Sequence, residues 1–148
     1  MRRLGKFVFR MQSLLNVKIQ IENSLKNELG KAVQELERQK DVLREIELER
    51  EEYIGRVNSE CVEGISVGKL REFNTYIVYL NDRSRLQKEN IKKAQNNVDK
   101  YREQLIKAMQ EKEMLEKLKE KKYEEYLREQ LKEEQKLNDE IVSFNYNT

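Results

Sequence analysis

Few residues of this chain have the side-chain type and the spacing that catalysis or metal binding requires. The 148 residues contain no His and a single Cys, Cys61. Without His, the commonest general base, the usual nucleophilic dyads and most zinc sites are excluded. One thiolate cannot form a metal cage. Cys61 also has no intrachain partner for a disulfide, which is typical of a protein of the reducing cytoplasm.

Acidic runs and two glycines are the remaining candidates for chemistry. The Glu-rich runs could pair carboxylates for acid–base catalysis, but such a run on a helix is nearly always a solvated face. Gly64 and Gly68 lack the flanking strand and the Gly-Lys-Ser/Thr ending of a phosphate-binding loop. We therefore predict no active site, no metal site and no cofactor. We expect the chain to act by binding other proteins.

The composition is typical of long helices and not of a compact globule. The chain has no Pro and no Trp, is 39% charged and 37% hydrophobic, and carries a net charge of +2. Because acidic and basic residues are interspersed, bulk attraction to nucleic acid or membrane is not implied. The longest apolar run, 76–80, is too short for a transmembrane helix. Arg2 and Arg3 are not followed by the apolar segment of a secretory signal.

Two heptad series of apolar residues predict two long helices. The first alternates spacings of three and four residues from Val8 to Val57, and eleven of its fifteen positions are apolar. The second runs from Leu70 to Leu115, with eleven apolar positions of fourteen. Such series are typical of coiled-coil seams.

The stretch 58–66 predicts a break between the two helices. Gly64 can end a helix in the left-handed conformation, and Ser66 can cap the next one. Two helices joined by a short loop pack antiparallel. We therefore predict an all-α fold: two long helices forming an antiparallel coiled-coil hairpin, the second overhanging the first. The single domain would comprise arm one over 8–57, a loop over 58–66, arm two over 67–142 and a C-terminal tail over 143–148.

The loop also predicts a register. Because pairing of the two arms buries both apolar stripes, we expect the free chain to be a monomer. If Val57 lies near Leu70, the numbers of facing residues add up to about 127, and Val8 faces position 119. The acidic stretch 34–52 would then face part of the basic stretch 83–102. About 116–142 would have no partner arm, and an isolated helix there is marginal in water, so its apolar residues fray or meet another protein.

Several segments resemble the FliJ proteins of the bacterial flagellar type III export apparatus, and the match covers nearly the whole chain. The resemblance is carried by Phe-Val-Phe-Arg-Met-Gln-Ser-Leu-Leu from residue 7, by Glu52-Tyr53, by Gly64-Ile-Ser, by the spacing of Tyr76, Leu80 and Gln87, and by the segments 115–122 and 134–141.

The resemblance implies a non-enzymatic stalk, similar to the central γ subunit of rotary ATPases, in the ring of the hexameric flagellar export ATPase. It also implies binding to a membrane export gate protein and to export chaperones, at the cytoplasmic face of the inner membrane. By similarity, the gate-binding residues would be Val42, Ile46, Glu49, Tyr53, Tyr76, Leu80, Arg83 and Gln87. The end that bears the termini would enter the ring through Arg2, Arg3, Lys6, Phe7, Phe9, Arg10, Tyr123, Tyr126, Leu127 and Leu131.

Four other classes of protein could share some of these features. A stalk of a virulence type III secretion system and a generic structural coiled coil stay open as alternatives. A parallel homodimer would have to tolerate two glycines and a lost heptad at 58–68. A nucleic-acid binder needs a concentrated basic face, whereas 83–102 carries at most +5.

Overall fold

Two helices make up nearly all of the part of the chain that the computed structural model describes, residues 5–147. Helix α1 spans Gln12–Glu63 and helix α2 spans Val67–Asn147. With 81 residues, α2 is longer than α1, which has 52. Residues 5–147 contain no strand. The predicted all-α fold, with two long antiparallel helices of which the second is longer, is confirmed.

The link between the helices is shorter than the predicted loop over 58–66. Helix α1 continues to Glu63 because residues 58–63 contain neither Gly nor Pro, so nothing stops the helix before Gly64. Gly64 has a φ of 96°, the left-handed conformation that ends a helix and that only Gly adopts without strain. The Ser66 hydroxyl oxygen then accepts a hydrogen bond of 3.2 Å from the Lys69 backbone N–H, as the N-cap of α2.

The outer helix ends also differ from the predicted boundaries. Helix α1 begins at Gln12, so residues 5–11 precede it without regular structure. Helix α2 runs on to Asn147, where a tail over 143–148 was predicted. No Gly or Pro follows Val67 except Gly68, so no residue in the last turns breaks the helix.

The seam follows the two heptad series closely. From Leu15 to Val57 every seam position is buried or half-buried except Arg50, and so is every position from Phe73 to Leu115. Burial of these stripes removes apolar surface from water and stabilises the helix pair. The chain divides into two units, residues 25–104 and residues 1–24 with 105–148.

In the unit of residues 25–104, an apolar cluster is followed along the seam by a polar layer. Leu36, Ala94 and Val98 are buried together. Gln87, which is also buried, donates from Nε2 to the backbone oxygen and to Oε1 of Gln39, both at 2.7 Å. A buried amide is tolerated only when it is hydrogen-bonded, so this pair favours one register. The numbers 39 and 87 add up to 126, close to the predicted 127.

The expected attraction between the acidic and basic stretches is only weakly developed. Most ion pairs of residues 34–52 lie within α1, such as Arg38 Nη2 to Glu35 Oε1 at 2.7 Å. That contact and a hydrogen bond from Gln39 lower the pKa of Glu35 to about 2. Among the described ion pairs, the one that joins the two stretches is Arg83 Nη1 to Glu49 Oε2 at 3.9 Å.

In the unit of residues 1–24 with 105–148, three charged exceptions to the heptad series form ion pairs across the helices. Lys112 Nζ lies 2.6 Å from Glu22 Oε2, and Glu22 is only 4% exposed. Lys18 Nζ donates to Glu111 Oε2 at 2.7 Å, two residues from the predicted facing position 109. The hydrogen bond that Lys112 donates to Glu22 raises the pKa of Lys112, and the one that Lys18 donates to Glu111 lowers the pKa of Glu111.

The Lys18–Glu111 pair predicts a specific pH dependence of stability. The pKa of Glu111 is lowered in the folded chain from its ordinary 4.5. The pair therefore stabilises the fold above that value and loses this effect as the pH falls through the lowered pKa. Glu111→Gln should lower the urea midpoint at neutral pH, and its difference from wild type should shrink below pH 4.5. Glu124→Gln, at an exposed position of α2, is the control; an equal Glu111→Gln effect at all pH values would contradict the assignment.

Candidate partner-binding surfaces

The described part of the chain offers surfaces and not an enclosed reaction site. Among residues 5–147, no three or more His, Cys, Asp or Glu side chains are grouped so that they could hold a metal ion. In the same residues, no helix is both long and apolar enough to cross a membrane. Three surfaces have a composition that suits protein binding: one near the loop and two in the unit that bears the termini.

The loop-proximal surface consists of Glu49, Tyr53, Tyr76, Tyr79 and Arg83. The Tyr53 and Tyr76 rings lie 4.5 Å apart between centroids, and those of Tyr76 and Tyr79 lie 5.8 Å apart. The Arg83 guanidinium lies 5.8 Å from the Tyr79 ring centroid. These contacts hold three aromatic rings side by side at the surface.

A carboxylate fixes the central tyrosine of this surface. The Tyr76 hydroxyl donates a hydrogen bond to Glu49 Oε1. That bond, aided by partial burial, raises the pKa of Tyr76. Arg83 lies on the other oxygen of Glu49 and offsets its charge. The loop-proximal surface is thus apolar in the middle with one compensated ion pair at its edge.

The eight residues predicted to bind the gate divide by burial. Ile46, Leu80 and Gln87 lie in the seam and are buried, with Leu80 0% exposed. The partly exposed ones are Val42, Glu49, Tyr53, Tyr76 and Arg83. Of these residues, only the partly exposed ones can contact a partner directly. The buried ones hold the partly exposed ones in position.

The terminal aromatic surface is formed by residues 5–11 lying on α2. The Phe7 ring contacts those of Tyr123 and Tyr126, with centroids 5.2 and 5.7 Å apart. The Tyr126 hydroxyl donates to the Gly5 backbone oxygen at 2.8 Å. Phe9 is 7% exposed. The predicted overhang of α2 beyond α1 is confirmed, and within it Tyr123 and Tyr126 contact the non-helical residues 5–11.

Four other residues predicted to enter the ring are exposed. Leu127 and Leu131 are exposed beyond the aromatic contacts, and so are Lys6 and Arg10. Arg2 and Arg3 lie outside the described residues.

A third surface, the uncharged sector of residues 11–24, was missed by sequence reasoning. Its two charged residues, Lys18 and Glu22, both lie in ion pairs with α2. Leu14 and Val17 are 45% and 48% exposed, and Ile19 and Ile21 are also exposed. Met11 is 44% exposed as well, and the rest of its outer face is Ser, Asn and Gln. Two charges in fourteen residues, in a chain that is 39% charged, were a signal that the sequence carried.

Apolar residues reach both flanks of this helix because of their spacing. Apolar and polar residues alternate from Leu15 to Ile21, and a period of two on a helix distributes side chains around more than one face. Leu15 fills the seam, whereas Val17 and Ile19 lie outside it on separate sides. A surface helix that is apolar beyond its own seam is typical of one that a partner covers.

Comparison with known proteins gives one family and one solved structure. The family described as flagellar FliJ protein matches residues 7–148. Among solved structures, the chain is similar to CT670 of Chlamydia trachomatis, a candidate YscO homolog. The two have 21% identity and a TM-score of 0.49, with 96% of each chain covered. No curated protein matches the sequence.

Proposed function

The chain belongs to the FliJ family of flagellar proteins, and from this premise we propose that it is the stalk in the ring of a hexameric export ATPase. The family makes it a non-enzymatic protein related to type III export. The proposal adds that the stalk couples the ATPase to a membrane export gate protein and escorts export chaperones at the cytoplasmic face of the inner membrane. The flagellar description of the family favours the flagellar over a virulence system.

The uncharged sector is the observation that carries the proposed place in the ring. The core of a protein interface is depleted of charged residues and enriched in large apolar ones. Residues 11–24 have that composition, although their own seam is already filled by Leu15 and the paired Glu22. A helix that must be surrounded by other subunits needs apolar side chains outside its seam, and Leu14, Val17 and Ile19 supply them.

The energetic gain from such burial is substantial. Covering one Leu, Val or Ile side chain contributes about 1.5–3 kcal/mol, less what is already buried. Four half-exposed residues of this kind lie between Leu14 and Ile21. The proposed ring-binding set adds the exposed Leu127 and Leu131, the aromatic residues Phe7, Phe9, Tyr123 and Tyr126, and the basic Lys6 and Arg10, with Arg2 and Arg3 beside them in sequence.

The proposed gate contact is the loop-proximal surface. Tyr53, Tyr76 and Tyr79 present rings at the surface, and aromatic residues with Arg dominate binding energy in protein interfaces. Arg83 and Glu49 supply a charge pair at the edge. Val42 extends the same set along α1, while the buried Ile46, Leu80 and Gln87 hold the helices in register.

The stalk role can be tested with the purified export ATPase. Adding the chain should raise the rate of ATP hydrolysis and should saturate at one chain for each hexamer. Saturation at one chain per ATPase subunit, or no change in rate, would contradict a place on the axis of the ring. The same titration with an ATPase held as a monomer by dilution should show no stimulation.

The gate contact predicts a difference between two substitutions of one tyrosine. Tyr76→Ala removes a ring that contacts Tyr53, and loss of a central aromatic contact weakens binding roughly tenfold or more. Tyr76→Phe keeps the ring and loses only the hydrogen bond to Glu49. Binding to the cytoplasmic part of the gate protein, measured by calorimetry, should therefore survive Tyr76→Phe and fall with Tyr76→Ala. Equal losses in both would assign the effect to the hydroxyl and not to the ring.

A further inference from the structure

We infer that the segment Gly5–Met11 is an autoinhibitory strap: in the free chain it covers the aromatic surface of α2 around Tyr126, and it must leave before a partner can reach that surface. The inference rests on the proposed function in one respect, since the partner is taken to be the export ATPase ring. The surface beneath the strap includes Leu118 and Tyr126, and Tyr123, which is 46% exposed, lies at its edge against Phe7.

The contacts of the strap are specific. Phe7 lies against two tyrosine rings of α2, edge-on to Tyr123 at 69° between ring planes and tilted to Tyr126 at 48°. The Tyr126 hydroxyl holds the start of the strap by its hydrogen bond to Gly5. Phe9, two residues after Phe7, is almost fully buried. Two aromatic anchors and one hydrogen bond therefore determine where the strap lies.

The same contacts are few enough to be released. Residues 5–9 belong to neither helix, so no regular backbone ladder holds them. The first turn bond, from the Gln12 N–H to the Phe9 oxygen at 3.0 Å, marks where α1 takes over. A segment fixed by a few side-chain contacts opens far more easily than a seam with continuous burial. Opening would leave α1 and its ion pairs to α2 unchanged.

The geometry also defines what could replace the strap. A competing segment must offer a large apolar side chain in the place of Phe7 and an acceptor oxygen, such as a backbone carbonyl, for the Tyr126 hydroxyl. The rim of the groove carries Lys122, Glu125 and Glu129, which have mixed charge and therefore select little by charge sign. Release frees Phe7 and Phe9 as well, so the partner gains aromatic surface from both the strap and α2.

Labelling of a cysteine beneath the strap would measure its opening in the free protein. Leu118 lines the groove, so Leu118→Cys in a Cys61→Ser background places one thiol there. Tyr126→Phe keeps the ring and removes the donor to Gly5, and loss of one neutral hydrogen bond shifts an equilibrium by roughly 2- to 10-fold. Iodoacetamide should therefore react faster by that factor. Tyr146→Phe, at a residue 90% exposed, is the matched control and should change nothing.

Binding to the ATPase hexamer then tests the inhibition itself. Tyr126→Phe should bind about 2- to 10-fold more tightly than wild type, because less of the chain is closed. An unchanged labelling rate would contradict the proposal that the strap closes over α2. Faster labelling together with weaker ATPase binding would contradict the inhibitory role of the strap, because the Tyr126 hydroxyl would then belong to the surface that binds the ATPase. If neither wild type nor variant binds the ATPase, the proposed function fails, and the labelling rates alone decide whether the strap closes α2.

Discussion

Leu80→Ala is expected to lower the free energy of unfolding by about 2–5 kcal/mol, the range for truncating a buried Leu. Leu80 is 0% exposed and lies in the seam of the unit formed by residues 25–104. The substitution leaves a cavity between α1 and α2 that two packed helices can fill only in part. Urea denaturation followed by the helical circular dichroism signal would measure the change.

The control for Leu80 is an exposed Leu of the same helix. Leu86 is 55% exposed, so Leu86→Ala should change stability by no more than about 0.5 kcal/mol. If Leu80→Ala has an equally small effect, the seam does not run through this position. In the folded Leu80→Ala protein, gate binding should weaken only if the cavity displaces Tyr76 and its neighbours.

Leu14→Asp is expected to weaken binding to the ATPase hexamer by roughly 10- to 100-fold. Because Leu14 is 45% exposed, losing its further burial accounts for roughly half of the about 1.5–3 kcal/mol that covering a whole Leu contributes. An unpaired carboxylate in an apolar interface adds a further penalty. Leu14 is 45% exposed and lies outside the seam, so the helical signal and the urea midpoint should stay close to those of wild type. Stimulation of ATP hydrolysis at a fixed concentration should fall in parallel.

The matched control places the same charge elsewhere. Leu86→Asp introduces an acidic group at a comparably exposed Leu in the unit of residues 25–104. It should leave ATPase binding unchanged. Equal weakening by Leu14→Asp and Leu86→Asp would mean that added negative charge, and not loss of the uncharged sector, is responsible.

Heptad spacing predicted the fold because burial of apolar stripes decides it. Leu36, Phe73 and Leu80 are buried at the positions that the two series require. The polar exceptions proved informative as well. Gln39 and Gln87 pair with each other, and Glu22 pairs with Lys112, so polar seam residues mark layers where α1 and α2 bind by hydrogen bonds.

Helix ends and the terminal contacts could not be read from the same pattern. The loop over 58–66 was predicted too long because a lost heptad does not end a helix, whereas the positive φ of Gly64 does. Residues 5–11 contact α2 through Phe7, and Phe9 is buried; a non-helical segment has no period from which such contacts could be inferred. The uncharged sector, in contrast, is visible in the composition, since residues 11–24 hold only two charged residues.

Hydrogen exchange of the whole chain, measured alone and with an excess of the ATPase hexamer, tests ring insertion most directly. Residues buried in a ring lose the local opening that permits exchange. The proposed stalk predicts slower exchange at residues 12–24 and 118–131 on adding the hexamer, with residues 36–46 and 80–98 unchanged. Slowing confined to residues 42–87, or no slowing in either region, would contradict it.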